Sequence, residues 1–181
     1  MKSFYMTAFK DLLKEKVGKL MLIVWPPWGE ERESEISISL GFVFQRVPNR
    51  LCLISVDRNE LWSPKIKFES LPANTYQWED FYPRMKMWMK AEDDDLIIDT
   101  EYYDVTNSEL FTNIIGNEIV EIEFLSIEGI PEPFGIKILF KDDYIIFMPN
   151  SDGSTVETKS FNKNDSIENF KHLGNVIYLK L

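Results

Sequence analysis

Two stretches of the sequence, one in each half of the chain, show the same order of segments, and this repetition constrains the fold more than any other feature. The first stretch covers residues 12–20 and the second covers residues 110–118. Each is a short helical pattern that ends at a glycine, Gly18 or Gly116, and an apolar run follows each of them. Glycine is favoured where a helix ends in a left-handed residue. The repetition therefore predicts two related halves.

The helical patterns predict one helix at the start of each half. In both halves, apolar residues recur at the spacing of one helix face. A capping-box sequence at 106–109, Thr-Asn-Ser-Glu, comes before the second pattern and is typical of a helix N-terminus. The apolar positions are Phe9, Leu12, Leu13 and Val17 in the first half, and Leu110, Phe111, Ile114 and Ile115 in the second.

A series of strand-like segments follows each predicted helix. The segment at 119–125 alternates apolar residues with Glu121 and Glu123, which is the period of a strand with one buried face. The sequence Asn-Ser-Asp-Gly at 150–153 gives a strong hairpin signal. The predicted strands are 20–25, 36–44, 51–56 and 65–68 in the first half, and 119–125, 134–140, 144–148 and 155–161 in the second.

These patterns together predict an α+β fold, in which two related helix-plus-antiparallel-meander halves form one compact domain. The predicted halves are residues 1–70 and 106–181, and an aromatic- and methionine-rich connecting segment covers residues 71–105. In that segment Met85, Met87 and Met89 alternate with other side chains, which predicts a strand. Further strands are expected at 96–102 and 176–181.

The charge of the chain limits the classes of partner that we expect. The sequence has 20 basic and 30 acidic residues, which gives a formal net charge of -10. Phosphate backbones would be repelled, so we do not expect nucleic-acid binding. A basic protein or cations would be attracted, although the same acidity also serves solubility. The oligomeric state stays open.

Cysteine content and hydropathy indicate the compartment. Cys52 is the only cysteine, so no intrachain disulfide forms, and a reducing compartment is expected. It lies in an apolar run at 51–54, which predicts an inert core thiol. We find neither a signal-peptide pattern nor a transmembrane-length apolar run. The prediction is a cytoplasmic protein without membrane contact.

No motif in the sequence points to catalysis, a metal or a cofactor. His172 is the only histidine, its context favours a surface turn, and no nucleophile motif accompanies it. Zinc-ligand spacing, phosphate-binding loops and the EF-hand pattern are also missing. We therefore predict no catalytic, cofactor-binding or metal-binding residues. A pair among the 30 carboxylates could still serve a hydrolase, and a small-molecule-binding protein is a further alternative.

Tryptophans mark the candidate partner-binding residues, because tryptophan is enriched at interface hot spots. Trp25 and Trp28 flank two prolines that stiffen a loop, and acidic residues follow that loop. The alternative is that these rings pack on the edge of the core. The candidate partner-binding residues are Trp25, Trp28, Glu30, Glu31, Trp78 and Trp88.

One stretch of the second half resembles a known class of proteins. Residues 134–153 read Phe-Gly-Ile-Lys-Ile-Leu-Phe-Lys-Asp-Asp-Tyr-Ile-Ile-Phe-Met-Pro-Asn-Ser-Asp-Gly. This hairpin-plus-turn resembles small acidic bacterial proteins of unknown function, some of which resemble the immunity proteins of polymorphic toxin systems. The resemblance implies a cytoplasmic, non-enzymatic inhibitor that caps a basic toxin, and it carries over no functional residue.

Overall fold

A computed structural model of the protein shows two β-sheets packed face to face. The structure describes residues 7–25, 37–56, 63–90, 100–150 and 153–181, and it does not describe the side chains of residues 88–90.

The first sheet has six strands in the order β4-β3-β2-β1-β6-β5. Its first four strands form an antiparallel meander, β6 pairs antiparallel with β1, and β5 pairs parallel with β6. The strands are β1 (Val17–Trp25), β2 (Ser37–Phe44), β3 (Arg50–Val56), β4 (Pro64–Ser70), β5 (Tyr76–Gln77) and β6 (Glu101–Asp104).

The second sheet has five strands in the order β10-β9-β8-β7-β11, all of them antiparallel. Its last strand, β11, pairs with β7 and forms one edge of the sheet. The strands are β7 (Glu121–Ile127), β8 (Gly135–Leu139), β9 (Tyr144–Asn150), β10 (Gly153–Thr158) and β11 (Val176–Lys180).

Helical structure in the described residues is short. The α-helix α1 (Phe81–Lys90) lies between β5 and β6 in the chain; residues 7 and 8 are also α-helical, and the other helices of the described residues are of the 3₁₀ type. The 3₁₀ helices are Phe9–Leu12, Trp78–Asp80, Glu109–Phe111 and Ser166–Leu173.

The predicted α+β class is wrong, because strands dominate the structure. Of the two helices that were expected to pack on a meander, the described part of the first ends in the 3₁₀ helix Phe9–Leu12, and the second is a single 3₁₀ turn. The predicted strands, in contrast, each overlap an observed strand, with the exception of the methionine segment at 85–89; residues 96–99 lie outside the described residues. The common origin of the two halves stays a prediction.

The first predicted helix fails because its later residues join a sheet. Leu13 is extended and Lys14 has a φ of 68°, so the backbone turns away from helical geometry. Val17 and Gly18 then belong to β1. Gly18 is therefore not a helix terminus, whereas Gly116 has the predicted left-handed conformation, with a φ of 77°.

The methionine segment is a helix and not the predicted strand. Gln77 and Asp80 form a capping box ahead of α1. Phe81 and Met85 are buried on one face, four residues apart, whereas Met87 is exposed. Methionine and lysine are good helix formers, so the alternation of methionine with Lys86, Trp88 and Lys90 did not identify a strand.

The main core lies between the two sheets. It contains alternating residues from the central strands of both, such as Leu20 and Leu22 of β1 and Ile122 and Phe124 of β7. This alternation follows from the two-residue period of a strand. The outer face of the second sheet has its own apolar cluster, in which Ile167 packs from the 3₁₀ helix Ser166–Leu173. Both faces of this sheet are therefore partly buried.

Cys52 is buried in β3, as predicted. Burial raises the pKa of its thiol to about 12. None of the helices within the described ranges combines the length and apolar composition that crossing a membrane requires.

Two seams join the sheets. At one seam, Lys14 N–H donates to the carbonyl of Ile119 at 2.8 Å, and Gly116 N–H donates to the carbonyl of Val17 at 2.8 Å. At the other, Ser154 N–H donates to Oγ of Ser37 at 3.0 Å. The second seam links β10 to β2.

Gly153 makes the second seam possible, and its replacement provides a test. A β-carbon at this position would lie 2.5 Å from the β-carbon of Ser37. We expect Gly153→Ala to lower the free energy of unfolding by about 1–3 kcal/mol, the usual cost of overpacking. Urea denaturation measures this loss. Adding Ser37→Gly, which removes the β-carbon that the new alanine would meet, should recover part of this loss. If the two substitutions instead lowered the free energy of unfolding additively, the contact between the two β-carbons would not be its cause.

Candidate functional site

The structure describes only one residue of the predicted Trp-Pro-Pro-Trp loop. Trp25 is the last residue of β1, where it pairs with Ser37 and is exposed. Trp28, Glu30 and Glu31 lie outside the described residues. The role of this loop in partner binding stays a prediction.

Trp78 packs against the core and is not a free ring. It stacks on Phe81 with 4.6 Å between ring centroids, and it makes edge contacts with Phe161 at 5.2 Å and Tyr103 at 6.0 Å. The indole therefore connects the start of α1 to β6 of the first sheet and to the segment that follows β10. Trp88 lies within α1, and its side chain is not described.

A cleft of about 470 Å³ opens beside Trp78. Phe81 and Tyr82 line it together with Trp78, and amide and hydroxyl side chains also contribute to its lining. Tyr82 is the most exposed of these rings, with 72% of its surface accessible. The described lining residues carry no charge.

Two asparagine side chains that line this cleft, Asn162 and Asn164, are held by hydrogen bonds. Nδ2 of Asn162 donates to Oγ1 of Thr155 at 2.8 Å and to the carbonyl of Val156 at 3.1 Å. Nδ2 of Asn164 donates to Oδ1 of Asn162 at 2.6 Å. These bonds fix the rim and leave fewer groups for a ligand.

A buried charge cluster links α1 to the first sheet. Nε of Arg84 donates to both carboxylate oxygens of Glu101, at 3.0 and 3.1 Å, and the hydroxyl of Tyr103 donates to Oε2. The guanidinium also lies 3.8 Å from the centroid of the Tyr76 ring. These groups satisfy one another, so the cluster positions α1 and presents no free reactive group.

The cluster changes the acid–base behaviour of its members. The hydrogen bond to Glu101 raises the pKa of Arg84. Burial raises the pKa of Tyr103 far above its usual value, and the hydrogen bond to Glu101 adds to this effect. Tyr103 therefore keeps its proton throughout the neutral range.

The two parts of the chain differ in net charge because basic residues are scarcer in the part that contains the second sheet. Residues 106–181 contain 12 acidic and 6 basic side chains, whereas residues 1–105 contain 18 and 14. The shorter part of the chain thus has a net charge of -6, against -4 for the longer part. A basic partner would be drawn to that side of the protein.

The acidic face, as we name it, consists of Tyr178 and the carboxylates around it: Glu123, Asp165 and Glu168. Burial raises the pKa of Tyr178, and all three carboxylates raise it further, whereas Lys171 lowers it. These three carboxylates outnumber the two cations beside the ring, Lys137 and Lys171, of which Lys171 forms an ion pair with Glu168. Glu123 is on β7, Tyr178 is on β11, and Asp165 and Glu168 belong to the start of the last 3₁₀ helix.

Exposed apolar side chains accompany these charges. Leu173 is 57% exposed and Tyr178 is 45% exposed. Lys137 contributes a cation near the tyrosine, with its Nζ 5.6 Å from the centroid of the Tyr178 ring. A partly apolar centre surrounded by charged groups is the usual composition of a protein interface.

Other residues considered in the sequence do not form a site. His172 is exposed in the last 3₁₀ helix, in agreement with the predicted surface position. Within the described parts of the chain, no group of three or more His, Cys, Asp or Glu side chains could hold a metal ion. No protein-family profile, curated protein sequence or solved structure matches the chain.

The acidic face was not found from the sequence. The strand at 176–181 was predicted, but its position next to β7 depends on sheet order. The uneven charge of the two parts of the chain could have directed attention to this side.

The raised pKa of Tyr103, which arises from burial and from the hydrogen bond to Glu101, predicts how stability changes with pH. The pKa of Tyr103 is raised in the folded state, whereas the pKa of a tyrosine in an unfolded chain is about 10. Below about pH 10 both states hold the proton, and above it the unfolded state releases the proton first. Stability must therefore fall as the pH rises, by up to about 1.4 kcal/mol per pH unit for one proton.

Tyr103→Phe removes this contribution. We expect its free energy of unfolding to fall less steeply than that of the wild type between pH 10 and 12, as measured by urea denaturation at each pH. Tyr82→Phe, which removes an exposed hydroxyl, should retain the wild-type slope. Equal slopes for all three proteins would contradict the raised pKa of Tyr103 in the folded state.

Proposed function

We propose that the protein is a non-enzymatic binding module for a basic protein partner and acts as an immunity-type inhibitor does. The observation that carries this proposal is the acidic face, where carboxylates from β7 and from the last 3₁₀ helix surround the partly exposed ring of Tyr178. Carboxylates at the rim would accelerate association with a basic surface. The tyrosine ring would supply apolar contact area at its centre.

The acidic face is held in place by its supporting structure. Oγ of Ser166 donates to Oε1 of the buried Glu157, and Ser166 N–H donates to the same oxygen at 3.1 Å. Phe170 stacks on Phe134 with 4.1 Å between ring centroids. These contacts fix the 3₁₀ helix on the outer face of the second sheet. A preformed surface loses little conformational entropy when it binds.

A small-molecule ligand is a second candidate function, and the cleft beside Trp78 supports it. Its volume of about 470 Å³ lies within the range of ligand sites. Exposed Tyr82 would contact an uncharged ligand there. This function would depend on Tyr82 and not on the acidic face, so Tyr82→Ala separates the two candidates.

The proposed function predicts that neutralising the acidic face weakens binding. The partner is first isolated by affinity capture with the wild-type chain, and its dissociation constant is then measured by interferometry at low and moderate salt. We expect the triple variant Glu123→Gln, Asp165→Asn, Glu168→Gln to bind about tenfold or more weakly at low salt, mainly through slower association.

The matched control removes the same number of charges elsewhere. Asp11, Glu79 and Glu109 are exposed on other parts of the protein, and their amide variants together should bind nearly as well as the wild type. Equal loss in both triple variants would mean that net charge alone acts. Unchanged binding by the acidic-face variant, or binding that does not depend on salt, would overturn the proposal.

A further inference from the structure

We propose that the open edge of β11 accepts an extended, basic segment of the partner as an additional β-strand. This inference rests on the proposed function and specifies how the partner binds beside the acidic face. The structural basis is the combination of a strand edge with which no other described strand pairs, exposed apolar side chains and nearby carboxylates.

The register of β11 determines which backbone groups face outward. Leu181 N–H donates to the carbonyl of Ile122 at 3.0 Å, and Glu128 N–H donates to the carbonyl of Asn175 at 2.9 Å. Residues 175, 177, 179 and 181 therefore bond to β7, because hydrogen-bonded pairs alternate along an antiparallel ladder. The N–H and C=O groups of residues 176, 178 and 180 point to the open edge. Within the described residues, no strand pairs with that edge.

The other sheet edges differ from β11. Strand β4 begins at Pro64 and contains an ion pair between Lys67 and Glu69, and proline and charge both protect an edge. Strand β5 has only two residues. Strand β10 contacts β2, where Ser154 bonds to Ser37. Strand β11 has one charged residue, Lys180, at its end.

The side chains of β11 provide contacts for an added strand. Tyr178 lies on the outer face, near the carboxylates, and Leu179 lies on the opposite face and is partly exposed. Successive residues of an added strand would point alternately to these two faces. Backbone bonds would supply affinity, and the side chains would supply selectivity.

Charge identifies the occupant as a basic segment and not a second copy of this chain. Glu123, Asp165 and Glu168 surround Tyr178, and the 106–181 region has twice as many acidic as basic residues. Two copies that met at β11 would bring two acidic faces together, and like charges repel. A lysine- or arginine-rich strand would place its cations against these carboxylates.

The experiment uses the full chain and a defined probe. The probe is the capped peptide acetyl-Lys-Val-Lys-Val-Lys-Val-amide. Its control, acetyl-Lys-Pro-Lys-Val-Lys-Pro-amide, has the same charge but cannot pair as a regular strand. Amide hydrogen exchange is followed by NMR. We expect the amides of residues 176, 178 and 180 to exchange at least about tenfold more slowly with the probe, whereas the control peptide should not slow them.

Two variants separate backbone pairing from side-chain contact. Tyr178→Pro removes an outward N–H and leaves the bonds to β7, whereas Tyr178→Ala removes only the side chain. We expect the proline variant to lose the protection at residues 176 and 180, and the alanine variant to keep most of it. Continued protection of the amides of Ile177 and Leu179 in both variants would show that β11 still pairs with β7.

The possible outcomes distinguish this inference from the proposed function. Salt-dependent binding of both peptides without edge protection would overturn strand addition and leave the acidic face as the binding surface. Failure of both peptides to bind, together with unchanged partner affinity in the acidic-face variant, would overturn the proposed function itself. Edge protection that rises with protein concentration in the absence of peptide would identify a second copy as the occupant and overturn the basic-strand inference.

Discussion

Burial of apolar side chains between the two sheets is the interaction on which the remaining structure depends. Leu22 of β1 and Phe124 of β7 belong to one core with residues from the central strands of both sheets, and removing such surface from water is the main favourable term in folding. The seams at Gly116 and Ser154 close this core at two places. Because the core fixes β7, it also fixes β11 and the acidic face.

The strands could be predicted from the sequence, whereas the fold class could not. The alternation at Glu121 and Glu123 is a local property, and it predicted the position of β7 well. The helical spacing at 9–17 was equally regular, but tertiary pairing of Val17 in β1 prevailed over local propensity. At Met85 the two-residue alternation was misleading, because side-chain burial at Phe81 and Met85 follows a helical period. Short periodic segments do not distinguish these cases.

The site was predicted less well than the strands, because its members come from distant parts of the chain. Trp78 was predicted to bind a partner; its ring packs on Phe81 and supports the core, and its role in partner binding stays a prediction. Tyr178 was part of a predicted strand, yet nothing local places it near Asp165 or Glu123. Their proximity depends on β11 pairing with β7 and on the 3₁₀ helix that packs on the outer face. Only the excess of acidic over basic residues after residue 105, which arises from a scarcity of lysine and arginine, could have been seen in the sequence.

The open edge and the acidic face are best understood together. An exposed strand edge is a template for association with other chains, and proteins usually protect it. At β11 the edge itself has a single lysine, Lys180, whose Nζ pairs with Glu121 at 2.9 Å. The surrounding carboxylates would repel copies of this acidic chain and would attract a basic one. Under the proposed function the same charges would lower the risk of self-association and select the partner, at an edge with which no strand of the described residues pairs.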